Sequence, residues 1–248
     1  MKISVILPVY NQSEKVLGYL KEKILPFFDR QDVIYDILIA ADHSSSEQIA
    51  ILEEGLKAFP AHVKLLPPED IKGKGFAVQK AILSSSCDYD LFMDADLATD
   101  MAVFELMKKD FGKVDCFIAS RDVKGSSYGR KQPFLRRLTH WGCRQVVRAK
   151  FHMKEIKDSQ CGFKMFKDDY AKQIAKRQIV MGGAFDVEYL YFFHLNGLVI
   201  KEYPARWTDD PDSTIKNLSG EVKRFYKDLG RIKKNKENYL LKEDDHAD

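Results

Sequence analysis

The chain has 248 residues, 45% of them hydrophobic and 31% charged, with a formal net charge of +3. That length supports one well-buried core rather than two full domains, and the nearly balanced charge argues against a general nucleic-acid binder. Residues 3–8 form an apolar, β-branched run that ends at a proline, the pattern of a strand. Residues 13–28 have helical spacing, with Pro26 disturbing the last turn. A second strand is expected over 34–41, ending in Asp42. Ser44 and Glu47 then fit a capping box ahead of Ile49, Leu52 and Leu56 on one helical face. A third strand is expected over 63–66, a helix over 74–83 after a glycine turn, and a fourth strand over 89–93. A helix over 101–111 and a fifth strand over 116–120 follow.

From Asp122 the pattern loosens. Residues 122–133 read as a mobile polar loop, 134–151 as an arginine-rich helix, 163–166 and 199–207 as strands, and 184–195 as a helix. The stretch from 233 to 248 is highly charged and reads as a frayed tail. Strands separated by helix-length segments predict an α/β fold, a Rossmann-like and mostly parallel sheet with helices on both faces. Ligands of such sheets bind at the carboxyl ends of the strands. The expected domain covers 1–232, as two halves over 1–100 and 101–232 with no domain boundary between them. Cys87, Cys116, Cys143 and Cys161 form no C-x-x-C pair and no zinc-like spacing, so they read as free thiols. No signal peptide and no run of roughly 20 apolar residues is present, which predicts a cytoplasmic protein, peripheral at most to the inner face of a membrane.

The chemistry concentrates where strands end. Asp94-Ala95-Asp96 follows a buried run, and carboxylates at i and i+2 of an extended chain share one side. Such a pair suits a hard cation, Mg²⁺ or Mn²⁺, whose other ligands are phosphate and water. Pro8, Tyr10 and Asn11 close the first strand, where a tyrosine can stack on a base and an asparagine can pair with its edge. Asp42 closes the second, where its carboxylate can accept the imide hydrogen of uracil or thymine. Lys74 and Gly75 open a helix whose amino terminus favours anions. Arg121, Arg136 and Arg137 belong to a basic stretch suited to phosphate. Apolar residues interleave with that stretch. They fit a membrane-surface helix or an ordinary helix packed on the sheet, and both readings stay open. Asp158 and Asp186 lie in apolar surroundings and are candidate general bases.

Together these motifs resemble the family 2 glycosyltransferases, inverting enzymes of GT-A fold. In the second half, Ser120-Arg121, Asp158-Ser159-Gln160-Cys161-Gly162-Phe163-Lys164, Ala184-Phe185-Asp186-Val187-Glu188 and Arg206-Trp207-Thr208 resemble the dolichyl-phosphate β-glucosyltransferase branch, kin of the dolichyl-phosphate mannose synthases. The resemblance spans roughly residues 3 to 230. It implies that Pro8, Tyr10, Asn11 and Asp42 hold the nucleoside, and that Lys74 and Gly75 approach the donor. It further implies that Asp94 and Asp96 serve diphosphate and metal, Arg121 with Arg136 and Arg137 the acceptor phosphate, and Asp158, Asp186 and Glu188 the acceptor side. The family commonly has two aspartates and a glycine where this chain has Ala41-Asp42-His43. The expected activity is transfer of a hexose, glucose from UDP-glucose, to a polyprenyl or dolichyl phosphate. The alternative is a soluble acceptor, the hydroxyl of a glycan or cell-wall polymer.

Overall fold

The computed structural model describes residues 1–129, 134–208 and 218–242, with the side chains of 134–141 and 218–219 outside that description. In chain order the strands are β1 (Lys2–Pro8), β2 (Ile34–Ala40), β3 (Val63–Leu65), β4 (Tyr89–Met93), β5 (Cys116–Ser120), β6 (Ser127–Tyr128), β7 (Phe163–Lys167), β8 (Ile200–Pro204) and β9 (Arg206–Trp207). The α-helices are α1 (Ser13–Tyr19), α2 (Leu25–Phe28), α3 (Ser46–Leu56), α4 (Lys74–Ser84), α5 (Val103–Met107), α6 (Phe134–Phe151), α7 (Asp168–Arg177), α8 (Phe185–Leu195) and α9 (Leu218–Lys234). One seven-stranded sheet runs β3-β2-β1-β4-β7-β5-β8, and β6 with β9 makes a small second ribbon.

Period-two alternation along β1 builds a core on each face. Ile3, Val5 and Leu7 join Val16, Leu52, Phe104 and Met107 on one side. Ile6 joins Val78, Ile82, Ile174, Val187 and Leu190 on the other. The three-layer arrangement is the α/β architecture that the strand and helix alternation predicts. Both expected halves share the one sheet, so residue 100 is not a structural boundary.

The sheet is parallel except for β7, which runs antiparallel to β4 and β5. The reason lies just before it. Asp158 is bonded to Arg121 at the carboxyl end of β5, so the chain is already at that edge when β7 begins and can only run back.

Several boundaries differ from the sequence expectation. The helix over 13–28 is interrupted by a π-helical turn at Leu20–Ile24, just ahead of Pro26, which has no N–H to continue the ladder. Ser45, not Ser44, caps α3 by accepting the Gln48 N–H at 3.4 Å. Helix 101–111 shrinks to α5 and a 3₁₀ turn, Lys108–Asp110. The loop expected over 122–133 contains β6, held by β9. The charged tail is not frayed over its described part. Helix α9 runs through Lys234, and the following turn buries Tyr239 in the core. No described helix is long and apolar enough to cross a membrane.

Candidate active site

The carboxyl ends of β1, β2, β4, β5 and β8 lie on one edge, and the reversed β7 starts there. Asp94 leaves β4 with its N–H donating to the Gly162 carbonyl at 2.8 Å. Its carboxylate occupies the space where a side chain at 162 would stand, since a Cβ there would lie 1.8 Å from Asp94 Oδ2. Asp96 follows and accepts the Ala98 N–H at 2.9 Å. The Ala98–Asp100 segment is then tied to β9, with the Thr208 N–H donating to the Ala98 carbonyl at 2.8 Å and the Asp100 N–H to the Arg206 carbonyl at 2.9 Å. The acidic turn is thereby fixed from both sides.

Lys74, the first residue of α4, forms an ion pair with Asp94. Burial works to lower its pKa, but the carboxylates of Asp94, Asp186 and Asp96 outweigh it and the net shift is upward. Gly75 also has a packing role. A Cβ there would lie 2.8 Å from Phe185 Cβ and 2.8 Å from the Val180 carbonyl, so it is a packing glycine that lets α4 press against the start of α8.

Asp186, in the first turn of α8, is buried and bonded to the Lys164 ammonium at 2.7 Å. Burial raises its pKa, against the pull of Lys164 and Lys74. Lys164 is itself wholly buried and also donates to the Cys161 carbonyl at 2.6 Å. Asp158 is likewise sealed. Its two oxygens take Arg121 Nε at 2.7 Å and Nη2 at 2.8 Å, and the Arg121 N–H adds a third bond at 3.0 Å. Burial alone would raise the Asp158 pKa, but the Arg121 guanidinium holds it well below the usual carboxylate range. That state suits an anchor and does not suit the general base named from sequence. Arg121 also lies over the Trp207 ring, 5.6 Å from its centroid. Lys74, Arg121, Gln160 and Asp186, together with Phe225 and Asp228 of α9, line a cleft of about 250 Å³.

Toward β1 and β2, Tyr10 is half exposed and stacks on His43 with ring centroids 5.9 Å apart. His43 in turn bonds Asp70 at 2.6 Å. Asn11 is committed to the backbone, because its side-chain oxygen accepts the Ser45 N–H at 2.9 Å. Asp42 Oδ1 accepts the Glu69 N–H at 2.8 Å and Lys80 Nζ at 2.6 Å. Its Oδ2 is buried with no hydrogen-bond partner among the described residues. Ala41 is fully buried in the core.

Glu188 does not line the cleft. It accepts the Ile179 and Val180 N–H groups at 2.7 and 2.9 Å and the Tyr239 hydroxyl at 2.5 Å, and so buckles the loop ahead of α8. Arg136 and Arg137 have side chains outside the described residues. Farther along α6, Arg144 bonds Asp122 at 2.9 Å, and Val147 and Phe151 are core residues, so this half of the helix is packed on the sheet. Sequence reasoning gave no part to Lys164, Trp207 or His43. A lysine in the apolar run Phe163-Lys164-Met165-Phe166 was the available signal for the first.

Among the described residues, one group of three metal-ligand side chains converges, Cys87, Asp90 and Asp168. It lies at the start of β4, the opposite end of that strand from Asp94. Asp94 and Asp96 offer two carboxylates, hard oxygen donors that already attract a positive charge, the Lys74 ammonium. They fit a cation that completes its shell elsewhere.

The geometry can be set beside known proteins. Residues 4–175 match the profile of Glycosyl transferase family 2. A dolichyl-phosphate beta-glucosyltransferase of Dictyostelium discoideum is 32% identical over 244 residues, covering 93% of this chain and 73% of that protein. The mannosyl-3-phosphoglycerate synthase of Rubrobacter xylanophilus superposes with a TM-score of 0.69 at 16% identity, covering 98% of this chain and 77% of that one. The glucosyl-3-phosphoglycerate synthase of Mycobacterium tuberculosis, in complex with Mn²⁺, UDP-glucose and phosphoglyceric acid, superposes with a TM-score of 0.64 at 13% identity, covering 94% and 80%. The two structures share the GT-A fold with this chain. The acidic turn after β4, the profile match and the relative together lead to one assignment: the chain belongs to glycosyl transferase family 2.

Proposed function

We propose that the protein transfers glucose from UDP-glucose to a dolichyl or other polyprenyl phosphate, with inversion at the anomeric carbon. The observation that carries this reading is one cleft lined both by Lys74, the ion-pair partner of Asp94 in the acidic turn, and by Arg121, a buried arginine suited to a phosphate. The Dictyostelium relative, named for dolichyl phosphate and a β-glucosyl product, supports the acceptor. The UDP-glucose and Mn²⁺ in the mycobacterial neighbour support the donor and the cation.

On the donor side, Tyr10 packs beside the base and Asp42 Oδ2 accepts the uracil imide hydrogen. Asp94 and Asp96 would hold Mg²⁺ or Mn²⁺. When bound, the cation supplies counter-charge to the departing diphosphate. On the acceptor side, Arg121 binds phosphate through the guanidinium edge that Asp158 leaves uncovered. Asp158 is a positioning residue, because it fixes the arginine and has no oxygen left for a substrate proton. The attacking phosphate oxygen is anionic at neutral pH, so the reaction needs no strong general base. Asp186 contributes negative charge beside Lys74 and accepts a proton only if the nucleophile is a hydroxyl.

Arg121 separates the two halves of the reaction. Arg121→Ala is expected to abolish transfer to polyprenyl phosphate while UDP binding, measured calorimetrically, stays within about threefold. Loss of UDP binding in a folded variant would place the arginine on the donor side and overturn the assignment.

A further inference from the structure

Two lysines face the site carboxylates, and they differ in access. The Lys164–Asp186 pair is sealed, with side chains 0% and 7% exposed. The Lys74–Asp94 pair is open, with side chains 36% and 29% exposed. A sealed ammonium is a permanent counter-charge, whereas an exposed one can be exchanged for another cation.

The backbone under Lys74 is pinned. Gly73 has φ +148°, and a Cβ there would stand 2.0 Å from the Met181 carbonyl oxygen. Gly75 is held between Val180 and Phe185 on the other side. The start of helix α4 is thus packed tightly against the segment ahead of α8, while the Lys74 side chain is partly exposed. Its ammonium answers to Asp94, Asp186 and Asp96 together, the same charge that a divalent cation would seek.

We propose that Lys74 is a place-holder for the divalent cation, making cation binding at Asp94 and Asp96 contingent on the arrival of a nucleoside diphosphate. The inference rests on the donor reading given above. With Lys74 and Lys164 set against three carboxylates, the free site has little negative charge left to attract a divalent ion. A diphosphate brings the missing negative charge. Lys74 then turns from Asp94 to a phosphate oxygen, and the acidic pair is released to the cation. The lysine is a positioning residue that couples the two ligands, and coupling of this kind is reciprocal.

The test is a Mn²⁺ titration of the full chain, with free Mn²⁺ counted by electron paramagnetic resonance, in the presence and absence of UDP, and with the Mn²⁺ held by UDP alone subtracted from a titration without protein. The wild type is expected to bind Mn²⁺ weakly alone and at least about tenfold more tightly with UDP. Removing one positive charge a few ångströms from the ion, in Lys74→Met, is expected to tighten Mn²⁺ binding without UDP by about tenfold or more and to shrink the UDP enhancement. Lys74→Gln gives the same reading should the methionine variant fail to fold. Variants that bind Mn²⁺ no tighter than the wild type, while the wild type keeps its UDP dependence, overturn the inference and leave the donor reading standing. A wild type that binds no Mn²⁺ even with UDP overturns both.

Discussion

Asp94 and Asp158 are both carboxylates at the working edge, and their surroundings give them opposite tasks. Asp94 stays accessible beside Asp96, while Asp158 is closed on Arg121. Removing Asp96 should therefore act mainly on chemistry. Asp96→Ala is expected to lower turnover by about 100-fold or more, the scale of a lost transition-state charge partner, with the protein still folded and a stability loss of only about 1 kcal/mol from the missing Ala98 hydrogen bond. Asp158→Asn should act through stability. Breaking a buried ion pair from one side costs about 3–5 kcal/mol. The sign with pH follows from the direction of the shift. The folded Asp158 pKa is depressed, so its stabilisation is complete above the unfolded value of about 4 and is lost as pH falls below it toward the folded value. Denaturation curves between pH 2 and 7 should show that acid loss in the wild type and a flatter profile in Asp158→Asn. The sequence marks both aspartates as functional candidates. It does not distinguish metal ligand from anchor, because that depends on Arg121, 37 residues away in the chain.

At the scale of elements, tight approaches between segments decide the site. Gly162 opens β7 and leaves the room that the Asp94 carboxylate fills, so Gly162→Ala should push that carboxylate aside. The expected outcome is a loss of turnover of about 100-fold, the scale of a misplacement near 1 Å, with a circular dichroism spectrum like the wild type's. At the other end of β4, Asp90 is buried against Asp168, and burial first and that neighbour second push its pKa well up. Its contribution to stability is therefore complete below the unfolded value of about 4 and is lost as pH rises through the raised folded value. Asp90→Asn, which cannot ionise, should remove that loss, so its melting temperature relative to the wild type should rise between pH 5 and pH 8. A constant difference would contradict the assignment.

Strands β1 to β5 were legible because each is an apolar run closed by a turn residue. Helix α7 was not, since Asp168-Asp169-Tyr170-Ala171-Lys172-Gln173 carries too narrow an apolar stripe to stand out. The direction of β7 was not legible either, because it follows from the Asp158–Arg121 contact rather than from its own residues.

For the whole molecule, the sheet brings the carboxyl ends of its parallel strands onto one edge, and under the proposed function the cleft lined by Arg121 and α9 would receive the phosphorylated ligands. The packing of Val147 and Phe151 into the core shows that the inner half of α6 serves the fold, so acceptor recognition is expected to rest on Arg121 and the cleft. Glucosyl transfer can be followed directly. The purified chain would be given UDP-glucose labelled in the sugar, Mn²⁺ or Mg²⁺, and either polyprenyl phosphate or a panel of soluble glycans. Label is expected in the organic phase as a β-linked glucosyl phosphate lipid, dependent on the cation and absent with Arg121→Ala. Label appearing only on a glycan hydroxyl, with none on the lipid phosphate, would contradict it.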